Sequence, residues 1–185
     1  MREIHCLWEG PLTVEQAIGK SSSKDYGVYA LYGSHSVLGS DSLLYVGQAN
    51  GTTFSARIRY HWDEWIRWEP SDVTVYLGRL GGWEQIDDDK WGVLIDETEL
   101  LLIFFTSPPY NSSRVKTLRK NLEPTLIINH RRRHRIPQYI SNLIEKRHID
   151  DGEFKEYGES AVTHPIPPKD AKREDESVPR RDRGK

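Results

Sequence analysis

Apolar positions recur with two different spacings along the chain, and the changes of spacing mark its elements. Tyr26 to Leu31 and Leu43 to Val46 are short runs of aromatic, β-branched and other apolar residues, the composition of strands. Between them, Gly33-Ser34-His35-Ser36 and Gly39-Ser40-Asp41-Ser42 are turn chemistry, which predicts an antiparallel hairpin with a long loop. The period then lengthens. Ile58, Trp62 and Trp65 lie at offsets 0, 4 and 7, a buried stripe on a helix capped by Thr52 or Thr53 and reaching to about Trp68, before Pro70. Arg57, His61 and Glu64 repeat those offsets one residue earlier and form a polar stripe beside it. Val73 to Leu77 alternates as a third strand. From Asp87 a long helix is expected, with Trp91, Leu94 or Ile95, Thr98, Leu102 and Phe105 on one face and Pro108-Pro109 as its stop.

The ends are less regular. Ile4 to Trp8 reads as a short edge strand or a segment packed on the core, broken by Glu9-Gly10-Pro11. Thr13 and Gln16 stand at capping-box spacing and open a short helix ended by Gly19. Leu126-Ile127-Ile128 predicts a last strand, followed by a helix from Pro137 to about Arg147. Beyond His148, prolines and mixed charges with few apolar residues predict a disordered tail.

Composition alters this picture mainly through charge. The net charge of −2 conceals −8 over residues 1–110, +8 over 111–147 and −2 over the remainder. The basic segment, with Arg131, Arg132, Arg133 and Arg135 at its densest point, suits the phosphate backbone of a nucleic acid. Cys6 is the only cysteine, so no intrachain disulfide is expected, and the N-terminus lacks a basic-then-apolar signal pattern. The longest apolar run, Leu100 to Phe105, is too short for a bilayer. A cytoplasmic protein without membrane contact is the expectation.

Two glycine-tyrosine triplets, Gly27-Val28-Tyr29 and Tyr45-Val46-Gly47, resemble the paired signature of the GIY-YIG nuclease superfamily. The downstream order adds to the resemblance. Arg57 sits where the family has its first-helix arginine, Glu99 where it has its metal-binding glutamate, and Pro108-Pro109-Tyr110-Asn111 resembles its proline-asparagine block. Arg57 with His61 one turn later is similar to the restriction-endonuclease-like members. The resemblance implies an α+β fold, a small three-stranded antiparallel sheet flanked by helices, with a C-terminal helical extension. It divides the chain into an N-terminal extension (1–25), a nuclease domain (26–111), a basic extension (112–149) and a charged tail (150–185).

The same residues make chemical sense together. Phosphodiester hydrolysis needs an activated water, positive charge on the developing oxyanion and help for the leaving oxygen. Glu99 is a hard oxygen ligand suited to Mg²⁺ or Mn²⁺, which keep several waters and take substrate oxygens. Arg57 can fork onto phosphate, and His61 can accept a proton or hold a tyrosine hydroxyl. The resemblance implies Tyr29 as general base or water-orienting group, Tyr45 as its support and Asn111 as an orienting residue. Some relatives carry lysines where this chain has Tyr32 and Gln48; His61 is the cation expected in their place. The expected function is therefore metal-dependent DNA endonuclease, as a monomer or as a homodimer on DNA, with RNA left open. An inactive nucleic-acid-binding module of the same fold is the alternative. His130 and His134 have metal-like spacing but lack a third ligand, and Asp87-Asp88-Asp89 suits a helix N-terminus better than a cation.

Overall fold

A computed structural model describes residues 1–20, 25–81, 88–119 and 121–143. Its centre is a six-stranded mixed sheet. β1 is Arg2–Leu12, β2 Gly27–His35, β3 Gly39–Ala49, β4 Thr74–Gly81, β5 Thr125–Arg131 and β6 Tyr139–Ser141, in the order β3-β2-β4-β1-β5-β6. This corrects the expected small three-stranded antiparallel sheet flanked by helices. The three strands foreseen occupy one side, β3-β2-β4, where all pairing is antiparallel. The sheet continues because β1 pairs antiparallel with β4 and parallel with β5.

In place of a short edge strand, β1 is an interior strand of 11 residues. Its even positions, Ile4, Cys6 and Trp8, are buried, and Trp8 Nε1 donates to Asn129 Oδ1 on β5 at 2.8 Å. Gly10-Pro11 does not break the strand; it is carried within it through a cis peptide bond and a register shift. The segment after Pro137 forms β6 where the sequence predicts a helix. Tyr139–Ser141 pairs with Leu126–Ile128, leaving Ile140 inside the core. The remainder of that expected helix, from residue 144, and the expected tail lie outside the described residues.

Among the described residues, three α-helices cover the two faces. α1 (Val14–Ile18) carries the predicted capping box between Thr13 and Gln16. α2 (Phe54–Glu64) is capped by Thr53 and ends four residues earlier than expected, passing through Trp65 into a 3₁₀ turn at Ile66–Trp68. α1 and α2 bury Val14, Ala17, Phe54 and Ile58 against Tyr29, Leu31, Val75 and Leu77. On the opposite face α3 (Asp88–Thr106) packs Leu94, Ile95, Leu101 and Leu102 against Trp8, Val28, Ala30, Val46 and Ile127. α3 is buried around most of its girth between Leu94 and Ile103, so its one-face periodicity is blurred. No helix among the described residues is long and apolar enough to cross a membrane.

Candidate active site

The two signature glycines are there for steric reasons. Gly27 enters β2 at φ +150°, with Gly78 O standing where a Cβ would project. At Gly47 a Cβ would run into Tyr29 Oη and Tyr45 Cε1, so the absence of a side chain lets the Tyr29 ring lie across β3. Tyr29 is fully buried and opposite Gly47 in the β2–β3 register. Tyr45 lies beside it, ring centroids 6.2 Å apart. α2 supplies the next layer: its buried Ile58 fixes the helix rotation that brings His61 under the tyrosines.

His61 is buried, and its Nε2 lies 2.7 Å from Tyr29 Oη. Its Nδ1 accepts from Trp65 Nε1 at 3.2 Å. An indole N–H can only donate, so Nδ1 carries the lone pair. Burial first, and then Arg57, push the imidazole pKa down to about 4. A neutral ring with its lone pair on Nδ1 has its proton on Nε2, and that N–H donates to the Tyr29 oxygen. His61 therefore holds Tyr29 as a neutral donor; it does not supply the cation expected of it.

Burial also drives both tyrosines up. Tyr29 is raised by desolvation and by Tyr45, against the lowering influence of Arg57; Tyr45 is raised by desolvation and by Glu99. Arg57, half-buried one turn before His61, is the cation in electrostatic reach of Tyr29, Tyr45 and Glu99. It makes no salt bridge among the described residues, its Nε is buried without a hydrogen-bond partner, and its Cζ stands 5.5 Å from the Tyr60 ring centroid.

Glu99 approaches from α3 beside β3, and its side chain is not free. Oε2 accepts from Gln48 Nε2 at 3.0 Å and from Arg114 Nη1 at 2.6 Å. The same two donors bind Asp96 Oδ1, Gln48 at 3.2 Å and Arg114 Nη2 at 2.8 Å. Arg119 adds a 2.7 Å pair to Asp96 Oδ2. Desolvation raises the Glu99 pKa to about 7 in spite of Arg114. Asp96 is more exposed; its hydrogen bonds from Arg114 and Gln48 overcome desolvation and hold it below the ordinary carboxylate range.

The donor set has mixed suitability for a divalent ion. Two carboxylates three residues apart on α3 are ligands of the right hardness for Mg²⁺ or Mn²⁺. Among the described residues, however, no group of three or more His, Cys, Asp or Glu is placed to share a metal ion. A cation here would rest on Glu99 with water and substrate oxygens, beside the Arg114 and Gln48 donors that occupy Oε2.

Asn111 joins the site differently from expectation. Its Oδ1 accepts from Val46 N at 3.0 Å and its Nδ2 donates to Val46 O at 2.8 Å, so the amide pairs with the free edge of β3 like one more strand residue. Tyr110 N extends this pairing to Leu44 O at 3.0 Å. Asn111 fixes the strand that carries Tyr45, rather than turning toward Glu99.

The basic run is divided. Arg133 bonds the carbonyl of Ile136 in its own loop, and Arg135 pairs with Asp41 at 3.2 Å. Arg131 and Arg132 line a cleft of about 650 Å³ with Leu7, Glu9 and Arg79. His130 bonds His5 at 2.8 Å, whereas His134 bonds Asp41 at 2.9 Å, so the two histidines face different partners. Sequence reasoning missed Gln48, Asp96, Arg114 and Trp65 as members of the site. The spacing of Asp96 and Glu99 on one helix was the available signal; nothing in the sequence announced Arg114.

No family model matches the chain, and neither a curated protein nor a solved structure matches it.

Proposed function

We propose that the chain is a metal-dependent nuclease that hydrolyses phosphodiester bonds in DNA, of the kind the two glycine-tyrosine triplets resemble. The observation that carries this reading is the buried Tyr29–His61 pair, 2.7 Å apart, with Tyr45, Arg57 and Glu99 around it. Four sequence-distant segments deliver chemically matched groups to one place, at the cost of burying polar atoms. That burial is a feature of functional sites more than of cores.

In this reading the Nε2–H of His61 donates to Tyr29 Oη and holds the neutral phenol, whose own O–H orients the attacking water, with Tyr45 packed against it. Arg57, charged and without a salt bridge among the described residues, takes the phosphate oxygens. A divalent ion bound at Glu99 would supply Lewis-acid stabilisation of the developing charge. Asn111 keeps β3, and so Tyr45, in register. Arg131 and Arg132 contact the DNA backbone away from the reacting phosphate. The cytoplasm is the compartment that fits a DNA substrate and one buried thiol.

The test is Glu99→Ala. Mg²⁺-dependent cleavage of plasmid DNA is expected to be abolished while the circular dichroism of the folded protein is kept; full activity in the variant sinks the mechanism. A second reading, a DNA-binding module without hydrolysis, draws support from Arg114 standing on both carboxylates, Glu99 and Asp96, that a metal would use. DNA retardation with no cleavage in either Mg²⁺ or Mn²⁺ would favour it.

A further inference from the structure

We infer that the DNA taken at this site is unpaired there: exposed aromatic rings at the two ends of a run through His61 stack on the bases next to the reacting phosphate. This rests on the nuclease reading above and goes beyond it by naming the kind of DNA. Three observations support it. The first is the run of rings itself. Between centroids, Tyr60 stands 5.5 Å from His61, His61 6.1 Å from Trp65, Trp65 5.2 Å from Tyr110 and Tyr110 6.0 Å from His35. His61 is buried within the run, while Tyr60 is 53% exposed and Tyr110 39%. Neither of these two rings belongs to the hydrophobic clusters of the core. Every base has a π-face that such a ring can stack on, and a base reaches it only when it has left its own stack.

The second is the position of the cation. Arg57, assigned above to the phosphate oxygens, has its Cζ 5.5 Å from the centroid of the Tyr60 ring. A phosphate held by Arg57 therefore brings its own nucleoside within reach of Tyr60. In a duplex that nucleoside would offer the protein only the edge of its base, in a groove. A ring beside the phosphate cation is matched to the face of an unpaired one.

The third is charge. Residues 54–69, which carry Arg57, Tyr60, His61 and Trp65, hold three basic side chains, Arg57, Arg59 and Arg67, and three acidic ones, Asp63, Glu64 and Glu69. Affinity for intact duplex is drawn largely from phosphates neutralised by an excess of cations. This surface has no such excess, so the contact it can make rests on stacking. A bubble or a branch still has paired DNA alongside, for which Arg131 and Arg132 remain.

The experiment gives the full-length protein one labelled DNA sequence in three forms: a complete duplex, the same duplex with a central unpaired bubble, and the single strand. Affinity is read by fluorescence anisotropy in EDTA, and cleavage is then mapped on gels with Mg²⁺ or Mn²⁺. The bubble and the single strand are expected to bind about tenfold more tightly than the duplex and to be cut within the unpaired segment, one stacked base being enough for that difference. Tyr60→Ala and Tyr110→Ala should each lower affinity for the bubble by roughly five- to tenfold, while Tyr60→Phe, which keeps the ring, should retain it. Tyr60 is exposed on α2, so its alanine variant carries the test even where Tyr110→Ala misfolds. Equal affinity for duplex and bubble, or bubble affinity unmoved by Tyr60→Ala, overturns the inference, and cleavage of the duplex in the same tubes leaves the nuclease reading standing. Absence of cleavage in all three forms with either metal overturns the nuclease reading and the inference with it.

Discussion

Tyr29 and His61 meet 2.7 Å apart where neither reaches bulk water readily, and the imidazole is the donor of that bond. Removing only the oxygen isolates its contribution. Tyr29→Phe keeps the ring and its packing on Phe54, and leaves the His61 Nε2–H without its partner. Stability should fall by about 1–3 kcal/mol for the orphaned donor. On the nuclease reading, cleavage should fall by roughly 10²-fold, the size of effect of a misplaced attacking group. A plasmid-nicking assay and a thermal melt on one preparation read both, and a melt shift with normal nicking would remove Tyr29 from the chemistry.

Glu99 gives a second prediction at the same scale, through pH. Its pKa rises to about 7 on folding, chiefly through desolvation, so the native state binds that proton more tightly than the unfolded chain does. Its stability contribution is fully present below the unfolded carboxylate pKa and is lost as pH rises through about 7. Glutamine at this position cannot ionise. Melting temperatures of Glu99→Gln should therefore gain on wild type between about pH 4.5 and pH 8, by an amount worth up to roughly 3 kcal/mol. A pH-independent difference would mean the carboxylate is ionised throughout. The same protonation predicts that metal-dependent cleavage climbs across neutral pH as Glu99 becomes a ligand.

Among the elements, β3 depends on a residue outside the sheet. Its outer edge is closed by Asn111 and Tyr110, and Asn111→Ala removes two hydrogen bonds to Val46. About 1–3 kcal/mol of lost stability is expected, together with faster amide exchange at Val46 than at its β2 partner Ala30. Protection at Val46 unchanged from wild type would show that the edge does not need the asparagine. This pairing also shows what the sequence could and could not convey. Hairpin, helix caps and the long α3 are readable because turn residues and local periodicity specify them. Arg57 and His61 share a helix face that their four-residue spacing makes readable, while the meeting of Tyr29, Tyr45 and Glu99 with that face depends on how the strands and α3 pack. β1 escapes such reading because Gly10-Pro11 looks like a terminator, and only the pairing of Trp8 with Asn129, far along the chain, makes an interior strand of it. β6 escapes it for the same reason: a three-residue strand is defined by its partner, β5, rather than by its own composition. Arg114 is invisible because an ion pair across irregular backbone leaves no periodic trace.

For the whole molecule, if the proposed nuclease reading holds, the division of the basic run predicts unequal roles for its arginines against a DNA backbone. Arg131 and Arg132 lie along the cleft beside β1, Arg132 with a long 3.4 Å bond to Gly10 O, while Arg133 bonds Ile136 O in its own loop and Arg135 pairs with Asp41. Replacing Arg131 and Arg132 together with alanine should reduce the slope of log affinity against log salt by about 2, near 0.9 for each phosphate no longer neutralised. Arg133→Ala should leave that slope within error and lower the melting temperature. Equal slopes for all variants would place the DNA elsewhere.

The parallel register of β1 with β5 sets Arg2 beside Thr125. On the ribosome, β1 emerges before the other five strands and is among the last to be completed. Its β5-facing edge has no partner until the nascent chain has extended past Arg131. A fragment ending at Asn111 would contain every candidate catalytic residue and still expose the edge of an interior strand with alternate positions buried, an invitation to pair with another copy. Premature stops in this message should therefore yield aggregates in place of loose, active fragments. On the nuclease reading, quality control over a DNA-cutting activity is built into the strand order itself.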